Sequence, residues 1–431
     1  MSERRDITIN VPVLARVEGE GTLDLHIVGD RIEQLRLRIF EPPRLFEKFL
    51  EGRGYRDVPD MVARICGICP VAYQMSAVHA IEQAFDMDPG PWVRDMRRLF
   101  YCGEWLQSHA LHIHLLAAPD FLGFVTAVAM AEKFPEEVRR GLHLQELGNA
   151  IIRLLGARSV HPVGARVGGF FHAPRPEDAA ALLARLRAAL PDAEALVRWV
   201  ASLPVPDDVQ DFTCVSLRQP NEYPMNEGRL VSSHGLDLAI RSYREHFREF
   251  HAPHSTALHS SLDDQPYLVG PLARLNLNLD RLPEPVLGNL QATGVRFPST
   301  NMFHSALARA VEIHCALWEA IRLLEGYRPA EPYIEATPRA GVGYGCTEAP
   351  RGILWHRFEM DEQGRVVNTD IVPPTAQNQA RIEQDLHRSL SAFGLDHAPE
   401  SLRLRAEMVI RNYDPCISCA THFLHLNLER Q

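Results

Sequence analysis

Two cysteine pairs stand near opposite ends of the chain, each with its members three residues apart. Cys66 and Cys69 lie in Arg64-Ile65-Cys66-Gly67-Ile68-Cys69-Pro70, and Cys416 and Cys419 lie in Asp414-Pro415-Cys416-Ile417-Ser418-Cys419-Ala420-Thr421-His422. A spacing of three lets two sulfurs converge on one ion, and thiolates are soft donors that suit zinc, iron–sulfur clusters, copper(I) and nickel. If the two pairs meet, the first and last segments must come together across almost the whole chain. A structural zinc site of four cysteines is the plain alternative, but zinc ribbons keep their pairs about 15–20 residues apart. Two unrelated redox pairs are a further reading of the spacing alone.

Composition narrows the class. With 431 residues, 46% hydrophobic and 23% charged, the chain is an ordinary globular protein long enough for a large core. A formal net charge of -10 argues against a nucleic-acid binder, which needs a basic face. No apolar run reaches the roughly 18 residues of a membrane span. Met1 to Asn10 shows no apolar signal region, which fits a cytoplasmic protein. The eight cysteines are too few for a disulfide framework and read as thiols or metal ligands.

Periodicity gives a coarse outline. Leu23, Leu25 and Ile27, then Leu35, Leu37 and Ile39, alternate with polar residues around Gly29-Asp30, which predicts a hairpin with one buried face. The glycines of Arg16-Val17-Glu18-Gly19-Glu20-Gly21 predict a bend leading into it. Short helices are expected at Leu45 to Leu50 and after Pro59, and a longer one from Pro70 to Phe85. Further helices are expected at 92–116, 136–155, 178–202 with Pro191 interrupting, 237–250, 299–326, 376–393 and 402–411. Segments 204–235 and 252–300 read as loops with short strands, and Gly341 to Trp355 as short strands and turns. No internal repeat and no clear linker is present. The class is helix-rich α+β, one cooperative unit.

The wording around the cysteines resembles the two signature motifs of [NiFe]-hydrogenase large subunits. Arg16-Val17-Glu18-Gly19, Arg44-Leu45-Phe46-Glu47, Ser108-His109-Ala110-Leu111-His112 and Ala349-Pro350-Arg351-Gly352 match in the same order. The resemblance covers essentially the whole chain. It implies a predominantly helical fold with a central helix bundle and small peripheral sheets, the active site buried between the two cysteine pairs. It also implies a nickel–iron centre whose iron carries carbon monoxide and cyanide. By that resemblance Cys66 and Cys416 are terminal nickel ligands, and Cys69 and Cys419 bridge nickel to iron. Arg351 lies over the site beside Pro350, and Thr375 donates to a cyanide. Heterolytic cleavage of dihydrogen needs a base at the metal and a carboxylate to carry the proton away, roles that fall to Cys416 and Glu18. Glu47, His422 and the carbonyl of Ile371 match the ligands of a second site for magnesium or iron.

The resemblance further implies processing. His422 is the expected cleavage point, dividing a domain of 1–422 from an extension of 423–431, with a maturation endopeptidase and nickel-insertion factors as partners. Taken singly, Arg351 reads as a surface ion pair, Glu18 as a solvated or capping residue and His422 as a core histidine; the motifs shift that balance. Two positions depart from many relatives: Tyr73 stands where they have histidine, and Ser108 where they have aspartate. His109, His112 and His114 read as satisfied core histidines.

Electrons need a route out. Cys102, Cys214, Cys315 and Cys346 are isolated and lack cluster spacing, and Gly341-Val342-Gly343-Tyr344-Gly345 lacks the dinucleotide fingerprint. The chain is therefore expected to hold no iron–sulfur cluster, flavin or NAD site of its own. The resemblance implies an iron–sulfur small subunit of delta type and flavin- and cluster-bearing subunits that bind NAD(P), with no nucleic acid and no membrane span. The segments Phe40-Glu41-Pro42-Pro43-Arg44, Pro70-Val71-Ala72-Tyr73, Tyr101-Cys102-Gly103-Glu104-Trp105 and Pro119-Asp120-Phe121-Leu122-Gly123 resemble the alpha subunit of soluble NADP-linked hydrogenases, or sulfhydrogenases. Alternatives are a deazaflavin- or heterodisulfide-linked branch, a non-catalytic scaffold of the same fold, and a structural zinc protein. Scaffolds of this kind have lost the four cysteines.

Overall fold

Leu23, Leu25 and Ile27 are buried on one face of strand Gly21–Val28, which pairs antiparallel with Arg31–Ile39 as the alternation predicts. In the computed structural model, which describes residues 6–421, strand Asp6–Val11 adds a third member to this sheet. The chain then passes through helices Phe46–Leu50 and Val58–Val62 before the first cysteine pair. Cys69 precedes helix Pro70–Phe85, whose first position is a proline, where no intrahelical hydrogen bond is lost.

The centre is helical. Pro91–Leu111 packs against Pro135–Gly156 and His304–Glu325, and the last of these packs against Pro176–Ala201. The long central helix does not end at Leu111 but widens into a π-helical turn over His112–Ala117. Pro191 lies inside Pro176–Ala201 without dividing it; burial of Leu182, Leu186, Leu196 and Val197 along one face favours continuity over the one lost bond. Helices Pro374–Phe393 and Pro399–Tyr413 close the bundle and bring the chain to the second cysteine pair.

Helix Pro70–Phe85 is covered by a three-stranded antiparallel sheet of Gly341–Ala349, Gly352–Met360 and Val366–Val372. The alternating glycines of the first strand have a steric cause. A Cβ on Gly343 would lie 1.9 Å from the Ala80 carbonyl oxygen, and one on Gly345 1.9 Å from that of Ser76. The strand backbone thus lies directly on the helix, so this glycine run is a packing device.

Three further expectations change. Segment 237–250 is not a helix: it holds strand Asp237–Leu238, a single turn at Tyr243–His246 and strand Phe247–His251. Tyr243, stacked between Phe247 and Trp355 at 4.4 and 4.8 Å, favours the sheet-flanking conformation. Segment 252–300 contains helices Pro271–Asn278 and Glu284–Gln291, each opened by a proline in its first turn. Gly341 to Trp355 forms two long strands, not short ones.

Candidate metal centre

The four cysteines of the two pairs meet. Cys66 Sγ stands 3.5 Å from Cys416 Sγ, and Cys69 Sγ 3.9 Å from Cys419 Sγ. All four sulfurs lie within 4.8 Å of one another, and all four residues are buried. Such a group of thiols is poised to exchange its protons for a cation. Cys66 carries the first negative charge most readily: the Cys416 thiol beside it lowers its pKa, and the backbone N–H groups of Ile68 and Cys69 point to its sulfur at 3.3 Å each. Burial pushes the Cys416 thiol well up. A metal ion that neutralises the others is the chemistry this donor set fits.

Local structure explains the convergence. Asp414 ends helix Pro399–Tyr413 in the left-handed conformation, at φ 56°, and Pro415 follows, so the chain turns sharply into Cys416. Glu18 then runs beside Cys416 as a parallel bridge, its carbonyl accepting the N–H of Ile417 at 3.0 Å. Its carboxylate Oε2 accepts the N–H of Ser418 at 3.1 Å. Gly19 is forced by this approach: a Cβ there would lie 2.7 Å from that of Ile417, at φ +89°.

Arg351, 3% exposed, packs against the same turn at Asp414. Its Nε donates to the Asp414 carbonyl at 2.6 Å and its Nη2 to Asp414 Oδ1 at 2.9 Å. Burial opposes its charge, but Asp414 and the Cys416 sulfur hold the guanidinium protonated well above its usual range. Its Nη1, the Tyr73 hydroxyl and Asp414 Oδ2 are buried and make no hydrogen bond to any described residue. A buried guanidinium donor without a described partner thus lies close to the four cysteine sulfurs, which is where a polar group held at the metal could be met. The Thr375 hydroxyl accepts the N–H of Cys416 at 2.9 Å, leaving its own proton free to donate. Pro350 offers its carbonyl to Arg274 Nη2 at 3.4 Å.

Three residues beyond those expected from the sequence organise the site. Arg44 clasps both cysteine loops: its Nη2 donates to the Ile65 carbonyl at 2.7 Å and also to that of Ser418. Its backbone N–H bonds the Thr421 carbonyl at 2.7 Å. Glu104, fully buried, accepts the N–H groups of Val71 and Ala72 at 2.7 and 3.0 Å, and burial raises its carboxyl well above the ordinary range. Arg274 is clamped by Glu312 and Glu348 and bonds the Ala349 carbonyl at 3.0 Å, fixing the turn that carries Arg351. Arg44 sits inside one of the sequence motifs, and a carboxylate within the apolar run of Glu104 is itself a signal. Arg274 had none.

Glu47 and Ile371 are neighbours, the Ile371 N–H donating to Glu47 Oε1 at 2.8 Å. His422, the remaining residue expected there, lies outside the described residues, as does 423–431. The Ser108 hydroxyl is buried and makes no hydrogen bond to any described residue. His109 pairs with Glu312 at 2.9 Å and His112 with the Arg411 carbonyl at 2.8 Å. No helix among the described residues is long and apolar enough to cross a membrane.

Comparison with known proteins gives one consistent answer. The family model described as nickel-dependent hydrogenase matches residues 44–150 and 261–422. The chain is 33% identical over 425 residues to the alpha chain of sulfhydrogenase 1 from Pyrococcus furiosus, covering 97% of this chain and 99% of the relative. It is 26% identical to the beta chain of the NAD-reducing hydrogenase HoxS from Cupriavidus necator, covering 95% and 94%. Among solved structures, an NAD+-reducing [NiFe]-hydrogenase in the H2-reduced state superposes with a TM-score of 0.87 at 28% identity, covering 96% of this chain and 99% of that one. A [NiFeSe] hydrogenase from Desulfovibrio vulgaris Hildenborough shares the fold, with a TM-score of 0.81 at 22% identity over 97% and 100%.

Proposed function

The chain belongs to the nickel-dependent hydrogenase family as a catalytic large subunit, an oxidoreductase acting on H2, and we propose the residue roles and electron route that follow. The carrying observation is the meeting of four buried cysteine sulfurs within 4.8 Å, beside a guanidinium with a free donor. Cys66 and Cys416 would hold nickel as its terminal ligands, and Cys69 and Cys419 would hold nickel and iron together. The bound nickel–iron group, its iron carrying carbon monoxide and cyanide, supplies the heterolytic cleavage of H2. Arg351 Nη1 and the Thr375 hydroxyl hold polar ligands in place beside the Pro350 turn. Asp414 keeps the guanidinium aimed and charged. The Cys416 sulfur takes the proton, and Glu18, held against the same turn through Ser418, carries it away. Glu47, Ile371 and His422 hold magnesium or iron at a second site that ties the C-terminal segment to the rest.

The second proton of H2 leaves by the same Cys416 and Glu18 route, and the two electrons would leave through a docked iron–sulfur small subunit to flavin- and cluster-bearing subunits that exchange with NAD(P), in the cytoplasm. The naming of the relatives as sulfhydrogenase alpha subunits and as NAD-reducing hydrogenase supports this branch. Similarity to a chain of the F420-non-reducing hydrogenase from Methanothermobacter marburgensis, at 28% identity, keeps a heterodisulfide-linked branch as the second reading. In this account the chain is made with its extension, and an endopeptidase cuts after His422 once nickel is inserted. Hydrogen-driven reduction assays on the purified complex separate the branches. Reduction of NADP+ or NAD+ is expected; reduction of neither, with hydrogen uptake by artificial dyes intact, would reject the nicotinamide route while leaving the hydrogenase assignment standing.

A further inference from the structure

A second group of metal-ligating side chains lies away from the thiolates. One atom from each of His254, His259 and Glu383 falls within 4.8 Å of the others. His259, on strand Leu258–Leu262, is 2% exposed, and neither of its ring nitrogens makes a hydrogen bond to a described residue. Its Nε2 points toward Glu383 Oε2 at 3.6 Å, too long for such a bond. His254 Nε2 lies 2.7 Å from Glu383 Oε1, which also accepts the Leu37 N–H at 2.9 Å. The carboxylate is thus fixed by a neighbouring strand, while the His254 and His259 rings cross edge to face at 5.7 Å. A buried imidazole with neither nitrogen hydrogen-bonded is costly, and a cation accepting its lone pair removes part of that cost.

We propose that His254, His259 and Glu383 bind a divalent first-row metal ion, zinc being the ion that two imidazoles and one carboxylate suit best. The site is separate from the nickel–iron centre and from the Glu47 site. The family-model match stops at residue 150 and resumes at 261, so the two histidines lie outside the segments it matches. The three ligands tie that stretch to the middle of helix Pro374–Phe393, whose first turn carries Thr375 against Cys416. Ala257 and Leu258 pack with Ile39, Ala376, Ile417 and Ala420 in one apolar cluster, and the Thr256 hydroxyl bonds the carbonyls of Ile39 and Glu41 at 3.0 and 2.8 Å. The ion is therefore a brace behind the second cysteine turn.

Cobalt(II) is the probe. Titrated into the purified, nickel-loaded complex, whose thiolates are occupied, it should give visible d–d bands without the near-ultraviolet charge transfer of a sulfur ligand, and zinc should displace it. Glu383→Gln keeps an acceptor for Leu37, and His254→Ala removes a half-buried ring without opening the core. Each should weaken cobalt binding by more than about 100-fold, beyond the loss of an outer hydrogen-bond partner. Absence of the bands, bands with sulfur charge transfer, or an affinity unchanged in either variant would overturn the site.

Discussion

At the scale of single residues, charge is placed with care around the thiolates. Arg351 and Asp414 are both buried and hold each other at 2.9 Å. Removing one partner of such a pair strands the other, at about 3–5 kcal/mol. Arg351→Ala is therefore expected to lower stability by that order as well as activity. Arg351→Lys keeps the charge but loses the fork that spans the Asp414 carbonyl and carboxylate, so turnover should fall at least about tenfold with less loss of stability; thermal melts beside hydrogen uptake separate the two effects. Glu18→Gln retains an acceptor for Ser418 and so preserves the turn, while removing the proton carrier. Its turnover should drop by about 100-fold or more with nickel content unchanged; wild-type turnover in a fully loaded Glu18→Gln sample would remove Glu18 from the proton path. The four cysteines could be paired by spacing, because thiolates at intervals of three have few other uses. Arg44 was visible only as part of a motif, and Arg274 not at all, since its clamping carboxylates Glu312 and Glu348 are far from it in sequence and its target is a backbone carbonyl.

At the scale of elements, sequence pattern served best where one periodicity was strong. The hairpin from Gly21 to Ile39 and the long helices follow their apolar spacing. Segment 237–250 misled because its charged and aromatic residues fit a helical repeat, whereas stacking of Tyr243 on Trp355 holds it against a sheet. Glycines of strand Gly341–Ala349 and of helix Glu284–Gln291 yield predictions of opposite sign. Gly345→Ala should cost at least about 1–3 kcal/mol, because the new methyl meets the Ser76 carbonyl. Gly288→Ala, within helix Glu284–Gln291 with nothing within 4 Å, should stabilise by about 0.4–1 kcal/mol. Melting temperatures of the two variants check the pair, and equal shifts would contradict the close packing of strand on helix.

At the scale of the whole molecule, the helical core encloses many ionisable groups held neutral. Burial lowers His79, His109, His114 and His314 to about 4 and His112 to about 3, from an ordinary 6.5. The unfolded chain binds these protons below pH 6.5 and the native chain only near pH 4. Stability from this source is thus full above pH 6.5 and lost as pH falls toward 4, by roughly 1.4 kcal/mol per unit for each group. Melts across that range should show a steep decline, and a flat profile between pH 6.5 and 4.5 would contradict it. The same enclosure unites the chain ends: Asp120 bonds Arg411 at 2.6 Å and also Arg16, fastening the Glu18 segment to the helix that delivers the second cysteine pair. Meeting of the ends is what makes the metal centre, and its occupant has a direct signature. An infrared spectrum of the purified, nickel-loaded complex is predicted to show one carbonyl and two cyanide stretching bands, shifting under hydrogen. Absence of those bands from a sample that contains nickel and iron would contradict the assignment of these four cysteines to a nickel–iron centre.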